Sequence, residues 1–105
     1  MSYRSIFRPD LFKGQKIIVT GGGSGIGRCT AHELVSLGAD VALVGRNKDK
    51  LATVEKEIQE AGGSATTHSC DIRNEESVKE VVSEILAKHG AINGLVNNAG
   101  GQFPA

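Results

Sequence analysis

The chain has 105 residues with twelve basic and twelve acidic side chains, so its net charge is zero when the histidines are neutral. This balance gives no bulk attraction to nucleic acid or an anionic membrane surface, and the length allows one domain with a real core. No run approaches the roughly 20 apolar residues that cross a bilayer. We therefore expect no nucleic-acid and no membrane partner. The N-terminus also lacks the apolar core of a secretory signal, which predicts a cytoplasmic protein.

Cysteines and histidines show no metal-binding or redox spacing. Cys29 and Cys70 are far apart in the sequence, and we expect two reduced thiols with structural roles. His32, His68 and His89 are scattered, and we expect them to be surface or packing residues. The sequence therefore predicts no metal site.

Residues 1–15 form an irregular, basic lead-in. A targeting peptide is one interpretation, but Pro9 interrupts any helix and the segment is short for a transit peptide. We favour an arm that packs apolar side chains against a domain formed by residues 16–105. Those side chains are Ile6, Phe7, Leu11 and Phe12.

From Lys16 onward the apolar pattern alternates between strands and helices. Short runs rich in β-branched residues predict strands near 16–20, 40–45, 65–69 and 93–97. The third of these strands is predicted only from its position between two helices. Three βα units with short connections predict an α/β fold of Rossmann type. We expect a right-handed, doubly wound parallel sheet, covered on both faces and truncated after its fourth strand.

Periodicity gives the second and third helices one buried face each. The second face contains Leu51, Val54, Ile58 and Ala61, and the third contains Val78, Val81, Val82, Ile85 and Leu86. Asn74 is placed to cap the third helix, with two glutamates in its first turn. Gly38, Gly62 and Gly90 follow the helices, where a left-handed residue is favoured.

Residues 20–27, TGGGSGIG, join the first strand to the first helix. Five glycines in eight residues let a ligand approach the backbone, and the first amides of a helix attract anions. The stretch is therefore a candidate phosphate-binding turn. It is not a Walker A loop, because no Lys-Ser or Lys-Thr follows the last glycine. It also fits the dinucleotide fingerprint G-x-G-x-x-G poorly, since three residues separate Gly21 from Gly25.

Three motifs in order resemble those of the short-chain dehydrogenase/reductase family. Residues 20–27 match its T-G-x-x-x-G-x-G cofactor motif, Cys70-Asp71-Ile72 resembles its acidic position after the third strand, and residues 95–100, LVNNAG, match its NNAG motif. One departure is Asn93, where this family often has aspartate. The residues predicted to bind a cofactor are Thr20, Gly21, Gly23, Ser24, Gly25, Ile26, Gly27, Arg46, Asp71, Ile72, Asn97, Asn98, Ala99 and Gly100.

Ligands in such sheets bind beyond the carboxyl ends of the strands, where the chain order reverses. The first and fourth strands are expected to be neighbours there. Ser24 and the amides of residues 25–27 can donate to ribose and pyrophosphate, and Asp71 can accept from the adenine amino group. An Asx-turn is the alternative role for Asp71. For Asn97 and Asn98 a local turn is the alternative to lining the adenosine side.

The choice of cofactor depends on the end of the second strand, Val44-Gly45-Arg46-Asn47. An acidic residue there binds the ribose 2′-hydroxyl, whereas an arginine accommodates a 2′-phosphate. Glycine stands in the acidic position and Arg46 follows it. A guanidinium suits a phosphate by charge and by its forked donors, so NADP(H) is favoured over NAD(H). The missing acid also argues against a methyltransferase, whose cofactor ribose would need one.

In the resembled family, a tyrosine acts as acid/base, assisted by a lysine four residues later and an upstream serine. The single tyrosine, Tyr3, is followed at that distance by Phe7, so no catalytic residue is predicted in this chain. We interpret it as the cofactor-binding N-terminal part of a longer protein, expected to be a homodimer or homotetramer. If the strand order of the resembled family holds, the fourth strand is left as an uncovered edge.

Residues 98–103, NAGGQF, resemble the branch containing 2,4-dienoyl-CoA and peroxisomal trans-2-enoyl-CoA reductases. Together with the start MSYRSIF, they also resemble bacterial citronellol-type dehydrogenases. The resemblance implies an NADP(H)-dependent oxidoreductase acting on an acyl-CoA-like or aliphatic alcohol or carbonyl substrate. The alternative is a nucleotide-binding fragment or module without catalysis.

Overall fold

The structure is a computed structural model, and it describes residues 11–21, 25–71 and 73–97. Strands and helices alternate strictly along these residues. In chain order they are β1 (Lys16–Thr20), α1 (Gly25–Ser36), β2 (Asp40–Gly45), α2 (Lys48–Glu60), β3 (Ala65–Ser69), α3 (Glu75–His89) and β4 (Gly94–Asn97). The predicted strands are confirmed, including the weakly indicated third, and only the fourth begins one residue later than expected.

All pairings in the sheet are parallel, and the strand order is β3-β2-β1-β4. The chain moves outward from β1 to β3, and then crosses back to place β4 on the other side of β1. This reversal confirms the Rossmann-type fold and the predicted neighbours β1 and β4. Among the described residues β4 pairs only with β1, so it is an edge strand.

The sheet separates two apolar clusters because side chains alternate between its faces. On one side Ile17, Val19, Val41 and Leu43 pack with α1 and α2. On the other side Ile18, Ala42 and Val44 pack with Val81 and Ile85 of α3. Cys70 belongs to this second cluster, with its Sγ 3.4 Å from Ser77 Oγ, which confirms a packing role for that thiol. Cys29 is instead exposed on α1.

Two predicted helix faces are wider than the buried surface. Leu51, Val54 and Ile58 are buried, but Ala61 is exposed because α2 ends just before it. Leu86 was also expected in the core and is 45% exposed, since α3 directs only Val81 and Ile85 fully inward.

The cover on the α3 side of the sheet is incomplete at β4. Leu95 pairs in register with Ile18 and so shares its face, yet Leu95 is 61% exposed. The expectation of a sheet covered on both faces is therefore wrong for β4 among the described residues.

Helix ends follow the expected chemistry. Asn74 caps α3 by accepting from the Ser77 amide, and Gly90 ends the helix in the left-handed region with φ of 79°. Gly38 and Gly62 also have positive φ, at 97° and 88°. Asn47 caps α2 in the same way as Asn74, a role that the sequence reasoning missed.

Part of the predicted N-terminal arm lies in the described residues. Phe12 packs against the cluster that α1 and α2 cover, and its amide donates to Leu37 O at 2.8 Å. Leu11 is 41% exposed and does not share this packing. Ile6 and Phe7 lie outside the described residues, so the arm as a whole stays a prediction.

Candidate functional site

The carboxyl ends of β1, β2 and β4 meet at one edge of the sheet. Thr20 ends β1 and pairs in register with Val44 of β2 and Asn97 of β4. Its hydroxyl oxygen lies 3.0 Å from Asn97 Oδ1 and 3.3 Å from Val96 O. Two of the predicted site residues are therefore in direct contact where the strand order reverses.

The glycine-rich turn leaves β1 next to this contact. Gly21 has φ of 67°, and its amide donates to Val44 O at 2.8 Å. That hydrogen bond fixes the start of the turn against β2, and the positive φ is one that favours glycine. Residues 22–24 lie outside the described residues, so the predicted contacts of Gly23 and Ser24 stay predictions.

Open space lies at the first turn of α1. Gly25, with φ of 60°, begins the helix, and a Cβ built there would meet nothing within 4 Å. Ile26 is 75% exposed, whereas Gly27 is buried against the fold. An exposed isoleucine beside bare backbone leaves room for a ligand that has both a phosphate and an apolar surface.

The electrostatics of α1 differ from those of the other helices. α2 has Asp49 in its first turn, and α3 has Glu75 and Glu76, whereas α1 has no acidic residue there. The partial positive charge at the start of α1 is therefore not offset by a carboxylate of its own first turn. Among the three helices, α1 is the one whose first turn suits an external anion.

Arg46 follows β2 at the same edge of the sheet. It is exposed, and its side chain has no hydrogen-bond or ion-pair partner within 11–21, 25–71 and 73–97. Its charge contributes to the low pKa of Asp71, which places the two groups within electrostatic range. The helix that follows is fixed by its neighbour Asn47, whose Oδ1 accepts from Lys50 N at 3.1 Å.

Asp71 follows β3 and has local partners. Arg73 N donates to Asp71 Oδ1 at 3.0 Å, and the guanidinium donates to both carboxylate oxygens at 3.1 and 3.2 Å. These hydrogen bonds, those from the guanidinium first, hold the pKa of Asp71 below its ordinary value. The turn alternative is therefore present. A carboxylate has about four acceptor positions, so its predicted adenine contact stays open.

Four further predicted residues, Ile72, Asn98, Ala99 and Gly100, lie outside the described residues. Asn93 lies at the opposite end of β4, where its Oδ1 accepts from Lys16 N at 2.8 Å and its amide donates to Lys16 O at 2.7 Å. Accepting from the Lys16 amide needs a side-chain oxygen at position 93, and asparagine supplies one as well as the aspartate expected by resemblance. The substitution therefore affects the join of β1 to β4 and not the crevice.

A separate groove of about 620 Å³ lies between α1 and α2 and shares only Gly25 with the crevice. Arg28 and His32 of α1 both contact the Glu57 carboxylate of α2, His32 at 2.9 Å. The His32 hydrogen bond, followed by the Arg28 contacts, lowers the pKa of Glu57. These contacts join two helices and leave the carboxyl ends of the strands open.

No group of three or more His, Cys, Asp or Glu side chains within the described residues could hold a metal ion. No helix among them has the length and apolar character needed to cross a membrane.

Comparison with known proteins decides the family. The short chain dehydrogenase family profile matches residues 15–105. The chain belongs to the short-chain dehydrogenase/reductase family. This family assignment agrees with the crevice at the reversal of strand order and with the three motifs.

Solved structures of family members support the same fold. The citronellol catabolism dehydrogenase of Pseudomonas aeruginosa is 65% identical with a TM-score of 0.89, over 90% of this chain and 40% of that one. A metagenomic short-chain oxidoreductase in complex with NADP is 45% identical with a TM-score of 0.81, over 84% of this chain and 40% of that one. An NAD⁺-bound xylitol dehydrogenase is 37% identical with a TM-score of 0.83, over 87% of this chain and 35% of that one.

Curated relatives are also dehydrogenases and reductases. The 2,5-dichloro-2,5-cyclohexadiene-1,4-diol dehydrogenase of Sphingobium indicum is 46% identical over 86 residues, which are 82% of this chain and 33% of that protein. A probable 2,4-dienoyl-CoA reductase of Bacillus subtilis is 34% identical over 83% of this chain and 34% of its own length. The chain therefore spans about one third of these relatives and corresponds to their cofactor-binding N-terminal part.

Proposed function

We propose that the chain binds NADP(H) at the crevice between β1 and β4, as the cofactor-binding part of a short-chain oxidoreductase. The observation that carries this proposal is Arg46, an exposed guanidinium at the end of β2 with glycine in the preceding position. A 2′-phosphate would give Arg46 the partner that it lacks among the described residues. Relatives bind NADP in one case and NAD in another, so family membership alone leaves the choice open.

The described residues fit a dinucleotide at both ends of the crevice. The first turn of α1 offers backbone donors without a competing carboxylate, which suits a pyrophosphate. Gly25 leaves open space over that turn, and Asn97 of β4 contacts Thr20, where the glycine-rich stretch begins. The predicted roles of Gly23, Ser24, Ile72, Asn98, Ala99 and Gly100 belong to the same proposal.

When bound, the nicotinamide supplies the hydride chemistry of the reaction. The part played by this chain is to bind and orient the cofactor. Acid–base catalysis is expected from a tyrosine and lysine outside these 105 residues, because Tyr3 has no lysine four residues later. We accordingly expect no turnover by the 105-residue chain alone.

The substrate proposed for the whole protein is an aliphatic alcohol or carbonyl, or an acyl-CoA thioester. Support comes from the 65% identity to a citronellol catabolism dehydrogenase, with dienoyl-CoA reductases as more distant relatives. A homo-oligomer and a cytoplasmic location stay predictions.

Calorimetric titration with NADPH and with NADH tests the cofactor proposal. We expect NADPH to bind at least about tenfold more tightly, because only it brings a 2′-phosphate to Arg46. Equal affinities, or tighter binding of NADH, would refute the choice of NADP(H). Absence of binding by either cofactor at millimolar concentration would refute cofactor binding by the chain.

A turnover assay distinguishes an oxidoreductase from a non-catalytic binding module. NADPH oxidation is followed with a medium-chain aldehyde and with an enoyl-CoA, using the 105-residue chain and any longer product of its gene. Turnover by the longer product alone supports the proposed division of the protein. Turnover by the short chain would contradict it, and inactivity of both with bound NADPH would favour the non-catalytic module.

A further inference from the structure

A polar cluster around the buried His68 lies away from the crevice, between β3 and the end of α3. Thr66 and His68 are two residues apart on β3 and so share a sheet face. They pair with Ala42 and Val44, whose side chains belong to the cluster that α3 covers. The imidazole of His68 has no solvent exposure, although every other buried residue of the described core is apolar.

Two hydrogen bonds join this pair to α3, and a third joins its two members to each other. His68 Nδ1 lies 2.7 Å from Glu84 Oε1, and His68 Nε2 lies 2.8 Å from Thr66 Oγ1. The same Thr66 oxygen lies 2.8 Å from Nε2 of His89, the last residue of α3. Glu84, His68, Thr66 and His89 therefore form one continuous chain of hydrogen bonds, the four-residue network.

With both histidines neutral, this network has a single arrangement in which every member is satisfied. The Glu84 carboxylate only accepts, so His68 carries its proton on Nδ1 and its Nε2 must accept. The Thr66 hydroxyl then donates to His68 Nε2. Its oxygen is left to accept from His89 Nε2–H. The direction of donation runs from His89 through Thr66 and His68 to Glu84.

One added proton reverses part of this direction without breaking a contact. If His68 carries both protons, its Nε2–H donates to Thr66 and its Nδ1–H still donates to Glu84. The Thr66 hydroxyl must turn and donate to His89 Nε2, which requires His89 to move its own proton to Nδ1. All three hydrogen bonds survive, and the imidazolium gains the Glu84 charge as a partner.

A second proton cannot be accommodated in the same way. Both histidines would donate to Thr66 Oγ1, and the Thr66 hydroxyl proton would lose its acceptor in the network. Two positive rings would also face one oxygen, each at 2.8 Å. Of the two rings only His68 contacts a carboxylate in the network, so His89 would be charged without compensation.

The surroundings of His89 oppose that charge. Burial lowers the pKa of His89 first, and the nearby charges of Lys16, His68 and Lys88 lower it further, whereas Asp40 raises it. These groups come from β1, β2, β3 and α3, the elements around the ring. Because the pKa of folded His89 lies below its ordinary value of about 6.5, the unfolded chain binds the proton first as the pH falls. The stabilising effect of neutral His89 is complete above about pH 6.5, and it is lost as the pH falls through the lower pKa of folded His89.

We propose that the four-residue network is a pH-responsive latch that closes the last turn of α3 on β3, holds one added proton, and opens when a second proton binds. The latch acts on the segment that leads into β4. Gly90, which follows His89, donates its amide to Leu86 O at 2.8 Å, so this hydrogen bond reports whether the last turn is closed.

Nuclear magnetic resonance of the whole chain tests the latch directly. The nitrogen shifts of both imidazoles are followed from about pH 8 to pH 4, a range that spans histidine titration. We expect His89 to carry its proton on Nε2 at high pH, and to move it to Nδ1 when the network gains its first proton. Retention of the Nε2–H tautomer by neutral His89 after His68 is charged would refute the shared-hydroxyl mechanism.

Hydrogen exchange of the Gly90 amide, corrected for the intrinsic pH dependence, tests the opening. Protection should fall by about tenfold or more as His89 becomes charged, while amides in β1 and β2 stay protected. Unchanged protection of Gly90 across the His89 titration would refute the latch, whatever the tautomers do. A simultaneous loss in β1 and β2 would also refute it, since that outcome is global unfolding.

Substitutions of Thr66 supply the matched variants. Thr66→Val keeps the shape of the side chain without its hydroxyl, and should give Gly90 low protection already at neutral pH with no tautomer change in His89. Thr66→Ser keeps the hydroxyl and should behave as the native chain. Thr67→Val, on the opposite face of β3, is the control, and an equal effect of Thr67→Val and Thr66→Val would contradict the proposal. The native titration stands as a test even if Thr66→Val does not fold.

Discussion

Thr20 and Asn97 close the reversal of strand order with a side-chain contact: Thr20 Oγ1 lies 3.0 Å from Asn97 Oδ1. The two residues are also partners in the parallel pairing of β1 with β4. A predicted site residue at the end of β1, where the glycine-rich stretch begins, is therefore held to a predicted site residue of β4. The crevice has two walls that are fixed to each other, which is the pre-organisation that a dinucleotide site requires.

The first prediction concerns this contact. Thr20→Val keeps the branched shape and removes the hydroxyl donor, so the free energy of unfolding should fall by about 0.5–1.5 kcal/mol, the usual net value of one hydrogen bond. Urea unfolding followed by circular dichroism measures the loss. Thr20→Ser, which keeps the hydroxyl, is the control. A Thr20→Val chain as stable as the native one would show that the contact contributes little to the join of β1 and β4.

The second prediction concerns Arg46 and the cofactor. Arg46→Gln removes the charge and should weaken NADPH binding by about tenfold to a hundredfold while NADH binding changes little, because hydrogen bonds to charged groups contribute about 1.5–3 kcal/mol. Calorimetry on the variant gives both constants. Arg28→Gln, whose guanidinium contacts Glu57 in the groove between α1 and α2, is the control. A parallel loss for NADPH and NADH in Arg46→Gln would remove Arg46 as the selective group.

Much of the fold could be predicted because local chemistry decides it. Strand bounds follow from short β-branched runs, and Asn74 and Gly90 mark their helix ends by capping and by a left-handed φ. The neighbours β1 and β4 required the family resemblance, since four strands alone permit other orders. The position of Thr20 against Asn97 then follows from that order.

The features that could not be predicted depend on how far one element extends over another and on contacts between residues distant in the chain. Periodicity indicates which way Leu86 points, but its 45% exposure depends on how much of the sheet α3 overlies. His68 and His89 are 21 positions apart in the chain and meet through Thr66, so no local pattern reports their contact. Asn47 could have been found, because an asparagine before an amphipathic run is an ordinary helix cap.

The third prediction is a pH dependence at Glu57. The contacts of His32, then of Arg28, lower the pKa of Glu57 in the folded chain, so their stabilising effect is present above the ordinary value of 4.5 and is lost as the pH falls through the folded value. Glu57→Gln should cost about 0.2–1 kcal/mol at neutral pH and less at about pH 3. Urea unfolding at both pH values measures the difference.

A matched control for Glu57 lies in the same groove. Glu60→Gln removes one negative charge from the groove wall, at an exposed position of α2. Its effect on stability should be small and similar at both pH values. If Glu60→Gln reproduced the pH dependence of Glu57→Gln, net charge rather than the contacts with Arg28 and His32 would explain it.

The fourth prediction concerns Gly63, between α2 and β3. A Cβ built on Gly63 would lie 2.1 Å from Val35 Cγ1 and 3.0 Å from Ile58 Cγ2, so Gly63→Ala must displace packed side chains of α1 and α2. We expect a loss of about 1–3 kcal/mol, typical of overpacking. Gly90→Ala is the contrast, because its Cβ meets nothing within 4 Å and only the φ of 79° is unfavourable. A Gly63→Ala chain that unfolds at the same urea concentration as the native chain would show that the added Cβ meets no steric conflict.

The last prediction follows from the edge strand. Leu95 of β4 is 61% exposed and Leu86 of α3 is 45% exposed, and the backbone of β4 has no second strand partner among the described residues. Unpaired edges with apolar side chains favour association. Size-exclusion chromatography with light scattering should therefore show a mass that rises with protein concentration. Leu95→Lys should suppress that rise, because a charged residue on an edge strand opposes pairing with another chain. Ile26→Lys places the same charge on an exposed apolar residue at the crevice, away from β4, and should leave the association unchanged. A native chain that stays monomeric at all concentrations would mean that this edge and its leucines are covered in solution by part of the chain itself.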